Sequence, residues 1–269
     1  MVITGAASGI GRALARRWAR AGARLGLLDR DREGVEAVAA ELSGSGDEVI
    51  AVPCDVTSPE QCRQAVGAVL EAHGGIDVLV NNAGITHLSR FSETDAGVVR
   101  RVMDVNLFGA LHCTQAALDA LRARRGQVVV ISSVAGFAPL AGRCAYSASK
   151  HALHGLFETL RSEERESGVG VTMVCPGFTR TAIERHALGG DGEPARGPRR
   201  VFGRSADPDR VADAIYRGAR RRRRLIVLSP VGKLSRLLWQ VAPRLYERAM
   251  ARSMLAANAG SGPGGSEPA

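Results

Sequence analysis

Tyr146 and Lys150 stand four residues apart in Tyr146-Ser147-Ala148-Ser149-Lys150, a spacing that sets a phenol and an ammonium one above the other on a helix face. A phenol of ordinary pKa about 10 is a poor base near neutrality. Lowering it by two to three units takes about 3 to 4 kcal/mol of preferential phenolate stabilisation, which a nearby ammonium and a second cationic group could supply. A lone pair so spaced is more often an accident of a solvated helix, so its company decides.

That company begins at the amino end. Thr4-Gly5-Ala6-Ala7-Ser8-Gly9-Ile10-Gly11 joins a short apolar run to a helical pattern. There Gly5, Gly9 and Gly11 permit a tight turn, and backbone N–H groups from Ser8 to Ile10 can reach a phosphate at the helix N-terminus. The spacing is G-x-x-x-G-x-G rather than the commoner G-x-G-x-x-G, and alone it is a weak signal. Asp29 follows Gly11 by eighteen residues, where a carboxylate can accept bonds from the adenosine ribose hydroxyls of a dinucleotide and repel a 2′-phosphate. This favours NAD over NADP, although Arg30 could turn outward toward a phosphate, and Asp29 could equally be an N-cap. Asp55 and Val56 are placed to touch an adenine edge, and Asn81-Asn82-Ala83-Gly84 follows the next apolar run.

Taken together these motifs closely resemble the short-chain dehydrogenase/reductase family over residues 1–228. Thr4 to Gly11, Asn81 to Gly84 and Tyr146 to Lys150 match its T-G-x-x-x-G-x-G, N-N-A-G and Y-x-x-x-K patterns in order and spacing. Ser133, thirteen residues before Tyr146, matches the catalytic serine, and Asn106, forty before it, the catalytic asparagine. The neighbouring Ser132 fits the spacing less well. The resemblance implies Tyr146 as general acid/base and Lys150 holding the nicotinamide ribose while depressing the tyrosine pKa. It implies Ser133 as donor to the substrate oxygen and Asn106 as the holder of a water linking Lys150 to solvent. Pro176, Gly177, Thr179 and Thr181 would hold the nicotinamide carboxamide, and no metal is implied. His151 and His154 form an i, i+3 pair without a third ligand, which reads as packing or an oligomer contact. The second reading is a binding protein that senses nucleotide without turnover. The family commonly pairs through helices corresponding to residues 104–124 and 146–167, implying a homodimer or homotetramer.

The elements that must position these groups alternate in βαβα order, the mark of a doubly wound parallel sheet. Strand candidates fall at 2–4, 24–28, 48–52, 77–80, 127–132, 170–175 and 225–228, and helices near 10–21, 31–42, 59–73, 95–124 (two helices), 146–167 and 208–222. The expectation is one seven-stranded Rossmann-type α/β domain over 1–230. A substrate loop at about 182–206, rich in glycine and proline, is expected to be mobile. Beyond it come a C-terminal amphipathic helical extension at 231–256, broken at Pro243, and a disordered tail at 257–269. Only four residues precede Gly5, so either the first strand is short or the natural start lies upstream.

Composition fits a folded chain: 45% hydrophobic and 23% charged residues over 269 positions exclude disorder for the bulk. No apolar stretch approaches 18 residues and the start has no signal-peptide core, so a spanning helix and secretion are not expected. Five scattered cysteines without a C-x-x-C pair read as reduced thiols of a cytoplasmic protein. The net charge of +9 is concentrated in residues 217–252, which hold eleven Lys or Arg against Glu247. One reading is a solvated helix end, since Arg220 to Arg224 closes a helical pattern. Another is peripheral contact with the inner membrane surface. For that, Leu234, Leu237, Leu238, Val241 and Leu245 form a stripe opposite Arg236, Arg244, Arg248 and Arg252, with Trp239 and Tyr246 for the interface. The stripe could instead pack on the core or a second subunit. Nucleic acid is not expected, because no binding motif accompanies the charge. Phe137, Pro139 and Leu140 suggest a pocket for a small hydrophobic alcohol or carbonyl compound, while arginines at 185, 196, 199 and 200 leave an anionic substrate open.

Overall fold

The computed structural model of the protein describes residues 1–43, 48–180, 183, 186–195 and 205–259, with side chains to Arg252. Among these residues seven strands, β1 (Val2–Thr4), β2 (Leu25–Asp29), β3 (Val49–Pro53), β4 (Val78–Asn81), β5 (Gln127–Ile131), β6 (Gly170–Cys175) and β7 (Leu225–Val227), form one sheet in the order β3-β2-β1-β4-β5-β6-β7. Every pairing is parallel. The chain order reverses between β1 and β4, which opens a crevice at the carboxyl ends of those strands, the ligand site of open α/β sheets. This is the doubly wound Rossmann-type fold.

Successive strand residues point to opposite faces, and both faces are covered, so the strands read as continuous apolar runs rather than alternating ones. Leu27 and Val129 join one core with Leu14, Trp18 and Ile215; their neighbours Leu28 and Val130 join the other with Val69, Leu121 and Phe157. The covering helices are α1 (Gly9–Ala19), α2 (Arg32–Ser43), α3 (Pro59–His73), α4 (Ala96–Met103), α5 (Gly109–Ala123), α6 (Cys144–Glu163) and α7 (Pro208–Arg220). Their starts follow local chemistry. Ser58 and Asp207 accept backbone N–H bonds as N-caps of α3 and α7, each followed by a proline whose missing donor costs nothing there.

The two helices expected over 95–124 are α4 and α5, and a π turn at Asp104–Phe108 joins them without a break. Gly109 is there for space: a Cβ would lie 2.6 Å from a Val56 methyl. The described part of the substrate loop is likewise tied down. Leu188 pairs with His87, and its N–H donates to Thr86 O. At Gly190 a Cβ would fall inside the Glu93 carbonyl. Gly190, read as a mark of mobility, therefore serves close packing.

The extension forms α8 (Pro230–Val241) and α9 (Pro243–Ala259), with Pro243 opening the second helix as expected. α9 continues past the boundary expected at 256, and residues 260–269 of the tail lie outside the described residues. Among the described residues no helix is long and apolar enough to cross a membrane.

Candidate active site

The glycine turn is built by contacts only glycine allows. Gly5 (φ +64°) and Gly9 (φ +54°) adopt the left-handed region, and a Cβ on Gly11 would stand 2.0 Å from Gly5 O. The Thr4 hydroxyl donates to Val80 O and accepts the N–H groups of Asn82 and Ala83, each at 3.0 Å. Asn82 Nδ2 donates back to Thr4 O and Gly5 O at 2.9 and 3.0 Å. The loops after β1 and β4 thus hold each other in shape. Ser8, the N-cap of α1, is extended and makes no side-chain bond to the helix, so the first-turn N–H groups remain for an anion.

Asp29, the last residue of β2, accepts Ala7 N–H at 2.9 Å through Oδ2 and Asp31 N–H at 3.1 Å through Oδ1. It thereby fixes the glycine turn to the strand end. The capping role belongs to Asp31, whose Oδ1 accepts Gly34 N–H at 3.0 Å. A carboxylate has about four lone-pair sites, so Asp29 retains capacity for ribose hydroxyls. Asp55 Oδ1 accepts both the N–H and the hydroxyl of Thr57.

On α6, Lys150 Nζ lies 5.6 Å from the centroid of the Tyr146 ring. The amine is buried and donates to Ile131 O at 2.9 Å. Burial pulls its pKa from 10.5 down to about 8, because desolvation disfavours the charged form. Both serines line the cavity, and their bonds distinguish them. Ser132 is buried and its Oγ donates to the Lys150 carbonyl at 3.3 Å. Ser133 Oγ accepts Ala135 N–H at 3.1 Å, an arrangement that leaves its own proton for donation.

Asn106 sits in the π turn and is buried; such turns recur at functional sites. Its Oδ1 accepts Ile85 N–H at 2.8 Å, while Nδ2 donates to Ile85 O at 3.0 Å and to Ser149 Oγ at 2.9 Å. Ser149 in turn donates to Tyr146 O at 2.9 Å. The side chain therefore braces the loop after β4 against the turn of α6 that carries the tyrosine. Gly84 keeps the space beside Lys150 open: a Cβ there would sit 3.1 Å from Asn106 Oδ1 and 3.6 Å from Lys150 Nζ.

One cavity of about 1050 Å³ joins these groups. Of the site residues expected from sequence, Gly5, Ser8, Gly9, Ile10, Asp29, Arg30, Asp55, Val56, Asn82, Ala83, Gly84, Ser133, Tyr146, Lys150, Pro176, Gly177 and Thr179 line it. Gly11 and Asn106 stand behind the wall as packing and bracing groups, and Thr181 lies outside the described residues. His151 Nδ1 pairs with Ser147 O and His154 Nδ1 with Glu158. Among the described residues no group of three or more His, Cys, Asp or Glu is arranged to hold a metal.

Of the loop 134–145, expected from sequence to form the pocket, Val134, Leu140 and Arg143 line the cavity, and Arg143 donates to Thr86 Oγ1 at 3.0 Å. The adjacent His87 is held neutral, its pKa down to about 4, by burial and then by the Arg143 charge. Sequence reading missed the part of the wall that the start of α8, from Ser229 to Ser235, forms together with Tyr246 and Met250 of α9. Tyr246 is not an interfacial residue, as its place in an amphipathic stripe suggested. It is buried, its hydroxyl donates to Pro139 O at 2.9 Å, and its ring meets Trp239 edge-on at 5.6 Å. Burial pushes its pKa up to about 12. Nothing local marks that contact across 107 residues; the one available signal was an aromatic hydroxyl, which finds a partner when buried.

Residues 1–189 match the family model described as short chain dehydrogenase. The chain is 37% identical to Dehydrogenase/reductase SDR family member 7B of Bos taurus over 259 residues, spanning 93% of this chain and 80% of that one. Among solved structures it resembles a short chain dehydrogenase/reductase from Burkholderia phymatum in complex with NAD, with a TM-score of 0.81, 29% identity and coverage of 91% and 93% of the two chains. It also resembles an alcohol dehydrogenase from Thermococcus sibiricus complexed with 5-hydroxy-NADP, with a TM-score of 0.73, 29% identity and coverage of 84% and 93%.

Proposed function

The chain belongs to the short-chain dehydrogenase family of oxidoreductases, and from that premise we propose that it transfers a hydride between a nicotinamide dinucleotide and a hydrophobic secondary alcohol or ketone. The observation that carries the reading is the buried Lys150 ammonium beside the Tyr146 ring in a cavity that Ser133 also faces. The residues fit the cofactor. The glycine turn and open α1 N-terminus suit its pyrophosphate, Asp29 its ribose hydroxyls, Asp55 and Val56 the adenine edge, and Pro176, Gly177 and Thr179 its carboxamide. The nicotinamide, when bound, supplies the carbon that gives or takes the hydride.

Tyr146 gives its proton to the developing alkoxide during ketone reduction, or takes the carbinol proton during oxidation. Ser133 donates to the same oxygen, where negative charge grows. Lys150 favours the phenolate by its charge, and Gly84 leaves room for ribose hydroxyls beside it. Asn106 keeps the loop at Ile85 and the α6 turn in register, and its Oδ1, which accepts one bond, retains a lone pair for the water of a proton path from Lys150. Asp29 and Asp31 at the mouth of the adenosine end support NAD over NADP; of the neighbouring cations Arg30 lines the cavity, while Arg32 pairs with Glu36.

Tyr146→Phe tests this reading against the nucleotide-sensing alternative. The expected result is a fall in kcat/KM of about 10² to 10⁴ in a screen of hydrophobic alcohols and ketones, with NAD binding retained. Turnover unaffected by the substitution removes Tyr146 from the mechanism, and absence of turnover with any substrate in the native protein favours the sensor.

A cytoplasmic homodimer or homotetramer, peripheral at the inner membrane surface, completes the proposal. Val231, Leu234, Leu237, Val241 and Leu245 are exposed on α8 and the start of α9, beside Lys233, Arg244 and Arg248, which suits anionic lipid. The arginine run lies elsewhere. It precedes β7 at the amino edge of the sheet, where Arg222 donates to Gly168 O and Arg125 O. The lipid-facing surface is therefore confined to α8 and α9, and failure to pellet with anionic vesicles at low salt rejects it.

A further inference from the structure

The active-site cavity reaches the protein surface at α8. Val231, in the first turn of that helix, lines the cavity together with Ser235 one turn on, yet is itself 51% exposed. It therefore stands at the rim. Leu234, three residues further and so a neighbour on the same helix face, continues outward from it, followed by Leu237, Val241 and, on α9, Leu245, all of them exposed. We propose that this rim is an entrance from the lipid phase. The anionic bilayer on which α8 and α9 rest supplies the substrate, a membrane-dissolved secondary alcohol or ketone of mainly hydrocarbon character, which passes over Val231 to Tyr146. This rests on the oxidoreductase reading above and adds the source and class of the substrate.

Three features favour a bilayer as the occupant of this face. The first is the attachment of α8 to the catalytic loop. Ser229 Oγ caps the helix by accepting Gly232 N–H at 2.9 Å, and a Cβ on Gly232 would lie 2.8 Å from a methyl of Val134, the residue after Ser133. One capped turn thus carries the reaction pocket on its inner side and an apolar surface on its outer side. The second is charge. Residues 230–252 hold Lys233, Arg236, Arg244, Arg248 and Arg252 against Glu247. Arg236 lies over the Phe137 ring, 6.0 Å from its centroid, and the other four cations are exposed. A second copy docked here by twofold symmetry would bring like charges together, whereas anionic headgroups neutralise them while the long stems lie along the apolar face. The third is partition. Each methylene favours hydrocarbon over water by about fourfold, so an alcohol that is mostly hydrocarbon is concentrated in the phase that the rim faces.

Two measurements on the full chain test the proposal, and one is independent of turnover. Heptadecan-2-one is presented in vesicles of phosphatidylcholine or of an equimolar phosphatidylcholine and phosphatidylglycerol mixture, with pentan-2-one in the water as reference, and NADH oxidation is followed. Reduction of heptadecan-2-one is expected to rise at least about tenfold with the anionic lipid and to fall when the same ketone is diluted with more phospholipid, while pentan-2-one responds to neither. Leu237→Asp combined with Val241→Asp alters two exposed positions outside the cavity lining. It is expected to remove the gain from anionic lipid and leave the pentan-2-one rate unchanged. For the second measurement, a diazirine-bearing heptadecan-2-one is photoactivated in the anionic vesicles. It is expected to label Val134 or Leu140 inside the cavity of the native chain, and neither in the double variant. A heptadecan-2-one rate indifferent to anionic lipid or to the double variant, or a label confined to the outer face of α8 and α9, overturns the proposal and leaves that face to a protein partner. Should neither ketone be reduced while cavity labelling persists and requires the anionic vesicles, the entrance stands and the oxidoreductase reading falls instead.

Discussion

Replacing Lys150 by Met is expected to make the protein more stable at neutral pH while destroying its activity. The lysine is buried, and desolvation brings its pKa from 10.5 to about 8. That drop is worth about 3 kcal/mol of unfavourable free energy for keeping the ammonium inside the folded chain. The cost is fully present below pH 8, where the folded protein holds the proton. It is relieved as pH rises toward 10.5, since over that interval the folded lysine has lost its proton while the unfolded chain still binds one. Methionine of similar volume has no such term. It does leave Ile131 O without the bond it accepts at 2.9 Å, a loss of about 1 to 3 kcal/mol that does not depend on pH. The variant is thus ahead by about 1 kcal/mol at pH 7, and the native protein recovers about 1.4 kcal/mol per pH unit relative to it between pH 8 and 10.5. Urea unfolding of both cofactor-free proteins at pH 7, 8, 9 and 10 reads the difference directly, because all other titrating groups cancel. A gap that stays constant across that window refutes the reasoning, whichever protein is the more stable.

Three further outcomes follow from the same geometry. Gly11→Ala drives a methyl to within 2.0 Å of Gly5 O, so NAD affinity measured by calorimetry should fall at least about tenfold and stability by about 2 kcal/mol. Asn106→Ala removes three bonds to Ile85 and Ser149; unfolding should show a loss of about 2 to 4 kcal/mol, and kcat should drop with little change in KM for the alcohol. Asp29→Ser removes the carboxylate that faces the adenosine end, and the ratio of kcat/KM for NADP over NAD should rise at least about tenfold; an unchanged ratio would assign cofactor choice to another residue.

Much of the site was readable because its signals are local. The glycine turn, the i, i+4 pair and the apolar strands each state their geometry within a few residues, and strand ends moved by no more than one position. That one position matters at Asp29, which falls on the last residue of β2 and so can clamp Ala7 N–H. What escaped was whatever depends on approach between distant segments. Gly190 looked like a breaker in a mobile loop, yet its lack of a side chain answers to Glu93 from another element. Asn106 was placed correctly by spacing, but that its amide would brace Ile85 and Ser149 could be known only once the π turn was seen. Tyr246 was misplaced for the same reason: amphipathic periodicity tells which face is apolar, not what that face meets.

The wall that Tyr246 and Met250 contribute is drawn from the last helix described, whereas the glycine turn, the acids of the adenosine end and the Tyr146–Lys150 pair all come earlier in the chain. The same cavity is walled by Leu140 and Arg143, which lie between Ser133 and Tyr146 in the chain, and the start of α8 packs on the loops of the site, Ser229 against Gly177 and Gly232 against Val134. The last two helices are therefore a structural part of the site, and a change of sequence in them is expected to reach the cavity without altering any residue of the glycine turn or of the Tyr146–Lys150 pair.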